Sequence, residues 1–285
     1  MGVKYALISD IHGNFKALEA FLAFIRENPV DGIICLGDYV TDGPYPRRTM
    51  NLLYGMREAC DCYMIRGNRE EYLLDNKGNR EGWKPSSANG TLYYTLEQLT
   101  GEDMAFLASL PTEREVLIQG CPGLYICHGT PGRVRGNVCW EEGLREKSLE
   151  EIPHRYLLGG HSHHQEIYRV GDGSYINPGS LGFAIDGVGR RAQFALLSGS
   201  GEAWEAELCS IHYDVEGYLR AFTESGVDEI GLTLNKAVKK SIVTGVNYFF
   251  KCILAMEEKA REKGAGSMVE LPQKDWEELE KRFEL

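Results

Sequence analysis

The feature that most constrains the fold is an alternation of short apolar runs with helical patterns along the first two hundred residues. Residues 5–8, 32–36 and 62–65 are predicted to be buried strands, because short apolar runs bounded by turn residues are typical of strands covered on both faces. Helices are predicted between them, over about 15–25 and 46–58. This order of strands and helices predicts a mostly parallel sheet with helices on its faces.

The rest of the chain suggests two divisions. Residues 71–110 are mostly polar and helical and are interpreted as an insertion, after which strands are predicted again within 116–197. After about residue 210 the pattern changes to long helices. The sequence therefore predicts a main domain over 1–209, with the insertion at about 71–110, and a helical C-terminal extension over 210–285.

Composition restricts the partners and the compartment. The chain of 285 residues has 31 Lys and Arg against 42 Asp and Glu, a formal charge of −11, which argues against a general nucleic-acid binder. Its most apolar stretch is shorter than the roughly 20 residues that a membrane helix needs, so no membrane partner is expected. Eight cysteines without a Cys-x-x-Cys pair suit reduced thiols, and no secretory signal is expected. The predicted location is the cytoplasm.

Five short polar segments each follow a predicted strand. They are residues 10–12, 37–38, 67–68, 128–129 and 160–163. Ligands of open α/β sheets bind outside the carboxyl ends of the strands, so these segments should meet at one edge. In an extended segment residues i and i+2 point to the same side, which predicts that Asp10 and His12 reach one metal ion together. The same spacing predicts a shared ion for His161 and His163. Nitrogen and oxygen ligands without thiolate suit Mn, Fe, Zn, Ni or Co.

Taken together, these motifs resemble those of the calcineurin-like metallophosphoesterases over about residues 3–197, and are most similar to the small prokaryotic phosphoesterases and phosphodiesterases. The segments that carry the resemblance are Ser9-Asp10-Ile11-His12-Gly13-Asn14, Leu36-Gly37-Asp38, Asp42-Gly43-Pro44, Arg66-Gly67-Asn68, His128-Gly129, Gly160-His161-Ser162-His163 and Asn177-Pro178-Gly179-Ser180. The resemblance implies an α/β fold, a four-layer αββα sandwich in which two mixed sheets are flanked by helices.

The resemblance also implies a dinuclear metal centre. The ligands of the first ion would be Asp10, His12 and His163, those of the second Asn68, His128 and His161, and Asp38 would bridge the two. Two divalent transition-metal ions are implied, with manganese expected and iron, zinc, nickel or cobalt as alternatives. A metal-bridging hydroxide would then be the nucleophile that hydrolyses a phosphoester. The predicted catalytic residues are Asp38, Asn68 and Arg69.

One residue departs from the family pattern. The family usually has His after Gly-Asn, where it helps to stabilise or protonate the leaving group, but this chain has Arg69. Arginine can hydrogen-bond a phosphate in bidentate fashion but cannot give up a proton near neutral pH. The hypothesis is that Arg69 clamps the phosphate, and that a phosphodiester or an activated phosphate is preferred over a simple monoester.

Further contacts to a small phosphorylated substrate are predicted with less support from motifs. The candidates are Asn14, Arg133, Arg135 and His164. Each has a plainer interpretation, because Asn14 can cap a helix, the two arginines can form a solvated loop, and His164 can face solvent. The C-terminal helices could pack on the sheet, cover the cleft or join two copies into a homo-oligomer.

Three other functions stay open at this stage. A serine/threonine protein phosphatase shares the motifs, although no Arg follows Asp38 where those enzymes have one. A nuclease shares them as well, although the acidic chain argues against it. A catalytically weak metal-binding scaffold is the third, because Arg69 replaces the usual His.

Overall fold

The computed structural model describes residues 2–78, 84–137 and 142–285. Within these residues the strands are β1 (Val3–Ile8), β2 (Gly32–Cys35), β3 (Asp61–Met64), β4 (Glu113–Val116), β5 (Leu124–Cys127), β6 (Tyr156–Leu158), β7 (Gln165–Val170), β8 (Gly173–Pro178), β9 (Arg191–Ser200) and β10 (Ala203–His212). They form one sheet in the order β10-β9-β1-β2-β3 and a second in the order β4-β5-β6-β8-β7. Both sheets are mixed, because β1, β2 and β3 run parallel to one another and antiparallel to β9, and β5, β6 and β8 run parallel between antiparallel β4 and β7.

The helices lie outside the two sheets and at the end of the chain. In the described residues they are α1 (Phe15–Glu27), α2 (Pro46–Ala59), α3 (Asn68–Asp75), α4 (Gly90–Gln98), α5 (Gly101–Ser109), α6 (Leu144–Glu150), α7 (Val215–Glu224), α8 (Asp228–Thr244), α9 (Tyr248–Lys263) and α10 (Gln273–Arg282). Helices α1 and α2 contact the first sheet and α6 contacts the second. This arrangement is the predicted four-layer αββα sandwich, and the predicted fold class is confirmed.

The side chains of β1 alternate between the two apolar cores of the sandwich. The side chains of Tyr5 and Leu7 belong to the apolar core between the two sheets. Those of Ala6 and Ile8 belong to the core between the first sheet and its helices. Because successive side chains of a strand point to opposite faces, a strand covered on both sides must be apolar throughout, as this run is.

Two strands differ from the sequence predictions, and both lie at sheet edges. The sequence predicts strands again from residue 116, but β4 covers Glu113–Val116, while Leu117 is 69% exposed. Strand β10 was not predicted, although it pairs with β9 along its whole length. Both strands have polar residues among their apolar ones, so they lack the continuous apolar run by which strands such as β1 are recognised. The strand β10 continues to His212, beyond the predicted domain boundary at 209, and the division into two domains stays a prediction.

The C-terminal helices pack on the sandwich and on one another. Helix α7 contacts α1, and α8 contacts α4, α7, α9 and α10. Trp276 of α10 is 1% exposed in an apolar cluster with residues of α8 and α9. None of the helices in the described ranges is long and apolar enough to cross a membrane. Seven cysteines are free thiols, whereas Cys139 lies outside the described residues.

Replacing Trp276 with Ala should destabilise the C-terminal extension. Removing a large buried aromatic side chain costs about 3–5 kcal/mol of unfolding free energy, because it removes apolar contacts and leaves a cavity. Chemical denaturation followed by circular dichroism measures this loss. The control is Leu254→Ala on α9, since Leu254 is 48% exposed. Equal stability of the two variants would contradict the packing described here.

Candidate metal centre

The five polar segments of the sequence meet at one edge of the sandwich. They follow the carboxyl ends of β1, β2, β3, β5 and β6. The loops are joined by backbone hydrogen bonds, including those from Asp10 N to Gly37 O at 3.0 Å, from His12 N to Asp38 O at 2.9 Å and from Gly160 N to His128 O at 2.8 Å. The loops of the two sheets are joined in turn by a hydrogen bond from His161 N to Asp10 Oδ2 at 3.0 Å.

The candidate ligands form two groups. Asp10, His12 and His163 offer ligand atoms within 4.8 Å of one another, and so do Asp38, His128 and His161. The Oδ1 atom of Asn68 lies 3.1 Å from Nε2 of His128 and so belongs beside the second group. Ligands of one transition-metal ion are separated by roughly 3–3.5 Å, given metal–ligand bonds of about 2.1 Å. The observed spacings suit such ions.

Asp38 belongs to the second group and also faces the first. Its Oδ2 atom is 3.8 Å from Nε2 of His12, in the first group, and 3.4 Å from Nε2 of His128, in the second. Its Oδ1 atom accepts a hydrogen bond from the backbone N of Arg69 at 2.8 Å, which fixes the carboxylate. One carboxylate therefore faces both groups.

The backbone at the ligands is not extended, and this corrects one sequence prediction. Asp10, His12, Asp38, His161 and His163 all have positive φ angles, between 47° and 62°. In this left-handed conformation successive side chains do not alternate between two sides of the chain, so the prediction that residues i and i+2 point to the same side does not apply. The prediction that His161 and His163 share an ion is wrong, because each histidine belongs to a different group. Asp10 and His12 are nevertheless in the same group.

Glu70 holds two of these loops together. The buried carboxylate accepts hydrogen bonds from the backbone N atoms of Asp38, Tyr39 and Gly67, each at 2.8 Å. Gly67 comes so close to Gly37 that a Cβ atom at Gly37, which has a φ of +100°, would collide with the Gly67 backbone. The loop after β2 is therefore fixed against the start of α3, with Asp38 and Asn68 side by side.

Asp42 links a candidate ligand to Arg69. Its Oδ2 atom lies 3.1 Å from Nδ1 of His12 and 3.1 Å from Nη2 of Arg69, and it accepts a hydrogen bond from Thr41 Oγ1 at 3.0 Å. The Oδ1 atom accepts one from Thr91 Oγ1 of α4 at 3.1 Å. Asp42 therefore orients the imidazole of His12 and holds the Arg69 guanidinium inside the cleft.

The charges of the site stabilise one another in the absence of metal. Burial opposes protonation of His12, but its bonds with Asp10 and Asp42 outweigh this and raise its pKa to about 9. Burial is likewise outweighed at His128, where the charges of Asp38 and Asp10 raise the pKa to about 10. Burial and the charge of His128 lower the pKa of His161 to about 4. Burial also opposes ionisation of Asp42, but the charge of Arg69 and the hydrogen bond with His12 hold its pKa well below the usual value.

The residues fit metal ions on chemical grounds. The Oδ1 atom of Asp10 is fully buried and makes no hydrogen bond to the described residues. It faces Nε2 of His163 at 3.2 Å, that of His12 at 3.7 Å and that of His128 at 3.9 Å. A buried carboxylate oxygen without a hydrogen bond is costly, and a cation bound between it and these imidazole nitrogens would relieve that cost.

The predicted substrate contacts are only partly at the cleft. Arg69 lines it together with His12, Asp38 and Asn68, and its side chain is 19% exposed. Asn14 is buried and caps α1, accepting a hydrogen bond from Ala17 N at 3.0 Å and donating one to Gly182 O at 2.8 Å. Its role as a helix cap therefore explains this residue without a substrate contact. Arg133 and Arg135 are exposed on a neighbouring cavity that also includes His161.

Two residues of the site were not singled out from the sequence, Glu70 and Phe249 of α9. Asp42 belongs to one of the segments that carry the resemblance, but its contacts with His12 and Arg69 were not predicted. His164 is exposed, as its plainer interpretation expected.

The turn that contains Asn177 and Ser180 holds two of the ligand loops in place through hydrogen bonds. Asn177 Nδ2 donates to Gly160 O at 2.9 Å, and Ser180 Oγ donates to Asp10 O at 2.7 Å.

Comparison with known proteins identifies the family. The profile of the calcineurin-like phosphoesterase superfamily domain matches residues 3–201, and the chain belongs to this superfamily. An uncharacterized protein of Methanocaldococcus jannaschii is 28% identical over 227 residues, which are 74% of this chain and 88% of that protein. A symmetrical bis(5'-nucleosyl)-tetraphosphatase of Pseudomonas fluorescens is 34% identical over 80 residues, but these are only 28% of this chain and 27% of the enzyme.

Solved structures share the fold. A metallophosphoesterase from Sphaerobacter thermophilus superposes with a TM-score of 0.67 at 23% identity, covering 85% of this chain and all of that one. A hypothetical protein from Pyrococcus horikoshii gives 0.72 at 22% identity, covering 85% and 98%. The profile match confirms the family predicted from the motifs, and these structures show the same fold.

The pKa values predict how the metal-free protein responds to pH. Histidines with raised pKa values stabilise the fold fully below pH 6.5, and this contribution is lost as the pH rises through about 9 for His12 and about 10 for His128. Melting temperatures of chelator-treated protein should therefore fall between pH 7 and pH 10. The fall should be smaller in His128→Asn, which isolates this contribution from other groups that titrate in the same range. Identical pH slopes for the two proteins would contradict the charge arrangement described here.

Proposed function

We propose that the chain is a dimetal-dependent hydrolase of phosphodiesters or activated phosphates. The observation that carries this proposal is the position of the Asp38 carboxylate, 3.8 Å from His12 of one group and 3.4 Å from His128 of the other. In the proposed site Asp38 would serve both ions. Asp10, His12 and His163 would hold the first ion, and Asn68, His128 and His161 would hold the second.

Bound divalent ions would supply positive charge for the phosphoryl oxygens and lower the pKa of a water molecule that attacks phosphorus. Manganese is the proposed ion, with iron, zinc, nickel and cobalt as alternatives, since the ligands are nitrogen and oxygen atoms. Residues next to the ligands keep them in place. Asp42 orients His12, and Glu70 fixes the loop that contains Asp38. Asp38 and Asn68 would act in catalysis through the ions.

Arg69 supports the preference for a good leaving group. Burial opposes its charge, but Asp42 and Asp38 raise its pKa further, so it stays a cation and gives no proton to a leaving oxygen. Its place in the cleft, beside His12 and Asn68, suits binding of a phosphoryl oxygen. A leaving group that departs as a stable anion needs no proton. The tetraphosphate named for the partial relatives is a phosphoanhydride and belongs to this chemical class.

A small substrate is part of the proposal. The cleft has a volume of about 270 Å³, which is at the lower end for ligand pockets. The net charge of −11 supports a substrate other than a nucleic acid. A cytoplasmic location and assembly through the C-terminal helices stay predictions.

The proposed activity predicts metal-dependent turnover of bis-p-nitrophenyl phosphate in preference to p-nitrophenyl phosphate. The protein is stripped of metal, loaded with Mn²⁺ and assayed for p-nitrophenol release. Asp38→Asn should lower kcat/KM at least about a hundredfold, since changes to residues that only orient ligands already cost 10–100-fold. Asp172→Asn is the matched control, because that carboxylate lies in the β7–β8 turn and its side chain is 78% exposed.

The result separates the alternatives. Turnover of a phosphopeptide without turnover of either diester or activated phosphate would favour a protein phosphatase. Cleavage of single-stranded DNA would favour a nuclease. Metal binding shown by calorimetry without any turnover would replace the proposal with the scaffold function.

A second test concerns Arg69. Arg69→His restores a residue that can donate a proton, so it should improve hydrolysis of diphenyl phosphate relative to bis-p-nitrophenyl phosphate. General acids contribute typically 10²–10⁴-fold, and we expect a relative gain of at least about tenfold. Arg69→Lys keeps a charge but loses bidentate binding, and it should lower kcat/KM for both substrates. A His variant without any relative gain would count against the proposed role of Arg69.

A further inference from the structure

One wall of the cleft is apolar and belongs in part to the C-terminal extension. Phe183, Ile185, Phe249 and Phe250 line the cleft together with the candidate ligands. Phe249 and Phe250 open α9 and are half-buried. The superfamily profile ends at residue 201, so this part of the wall is added to the matched domain. The extension therefore contributes to the same cleft as the candidate ligands.

The aromatic rings form a continuous path away from these ligands. The ring of Phe183 lies 5.3 Å from that of His163, and the ring of Phe249 lies 6.3 Å from that of Phe183 at an angle of 86°. The guanidinium of Arg69 lies 5.3 Å from the centre of the Phe249 ring. A phosphoryl group held at the ligands and Arg69 would place its ester group along these rings.

Hydrogen bonds from the first backbone N atoms of α9 hold the start of this helix in position. The Oγ atom of Ser241 in α8 accepts from the backbone N of Tyr248 at 2.9 Å and from that of Phe249 at 3.3 Å. The Asn247 side chain caps the helix and accepts from Phe250 N at 2.9 Å. The wall is therefore formed before a ligand arrives, and a preformed surface binds with a smaller loss of conformational freedom.

The chemistry of this wall favours a planar ring over an alkyl chain. Aromatic side chains bind nucleobases and other rings by stacking, and arginine beside an aromatic face adds a cation–π contribution. A simple alkyl ester would gain neither the stacking nor the cation–π contribution.

We propose that the cleft binds phosphoesters in which one ester group carries a planar aromatic ring, with a nucleotide as the biological form, and that Phe249 and Phe250 of the C-terminal extension bind this ring. This inference rests on the proposed function, because it places the phosphoryl group at the proposed metal centre.

Calorimetric titration of the Mn²⁺-loaded protein with adenosine 5'-monophosphate and with ribose 5-phosphate tests the proposal. The two ligands have the same sugar and phosphate and differ only in the base. We expect the nucleotide to bind at least about tenfold more tightly, which lies within the range measured for stacking of one base on an aromatic side chain. In Phe249→Ala and in Phe250→Ala this ratio should fall towards one.

Leu254→Ala is the control, since Leu254 lies on the same helix and is 48% exposed. It should keep the ratio of the wild type. Thermal melting shows whether each variant is folded. Because two phenylalanine variants are tested, the ratio can still be measured if one of them does not fold. Equal affinities of the two ligands for the wild type, undetectable binding of both, or a ratio unchanged in both phenylalanine variants would overturn the inference. Diester turnover without a nucleotide preference would contradict only this inference, whereas a nucleotide preference without any turnover would contradict only the proposed hydrolysis.

Discussion

The arrangement of the whole edge depends on the fixed position of the Asp38 carboxylate between two groups of histidines. Its backbone is held by Glu70, its Oδ1 atom by the backbone N of Arg69, and its Oδ2 atom faces both groups. Burying this charge is tolerable only because imidazoles or cations lie beside it. The close approach of Gly37 to Gly67 brings the loops of two parallel strands near enough for this contact. The fold thus positions the chemistry through a few backbone contacts at strand ends.

The sequence was sufficient for the inner strands and for the set of candidate ligands. Inner strands such as β1 are apolar on both faces, and each ligand segment follows the carboxyl end of a predicted strand, so their common edge was predictable. The sequence did not reveal the conformation of the ligand backbone. Five ligand residues adopt positive φ, which no residue type among Asp and His requires, and the spacing argument for His161 failed for that reason. Their strain is balanced by contacts between loops that are distant in the sequence.

The residues missed by the sequence analysis share a physical property. Glu70 and Phe249 act through partners from other elements, and the contacts of Asp42 likewise join separate loops, so the local sequence does not reveal these roles. Asp42 sits in a turn whose Gly and Pro explain it already, and its contacts with His12 and Arg69 exist only after folding. The edge strand β10 was missed for a related reason, because its open face is polar. The ligand residues can therefore be recognised from their spacing in the sequence, whereas the residues that orient them can be recognised only from tertiary contacts.

Arg69 connects the metal centre with the extension. It contacts Asp42 through its guanidinium and also lies beside the rings of Tyr72 and Phe249, so the same side chain faces the ligands and the added wall. A long, permanently charged side chain at this position can contact the ligand side and the aromatic wall together, and it donates no proton. In the proposed function the leaving group must therefore depart as a stable anion. Nucleoside phosphoanhydrides release such an anion and also carry an aromatic ring, so they are one group of compounds that would satisfy both proposals.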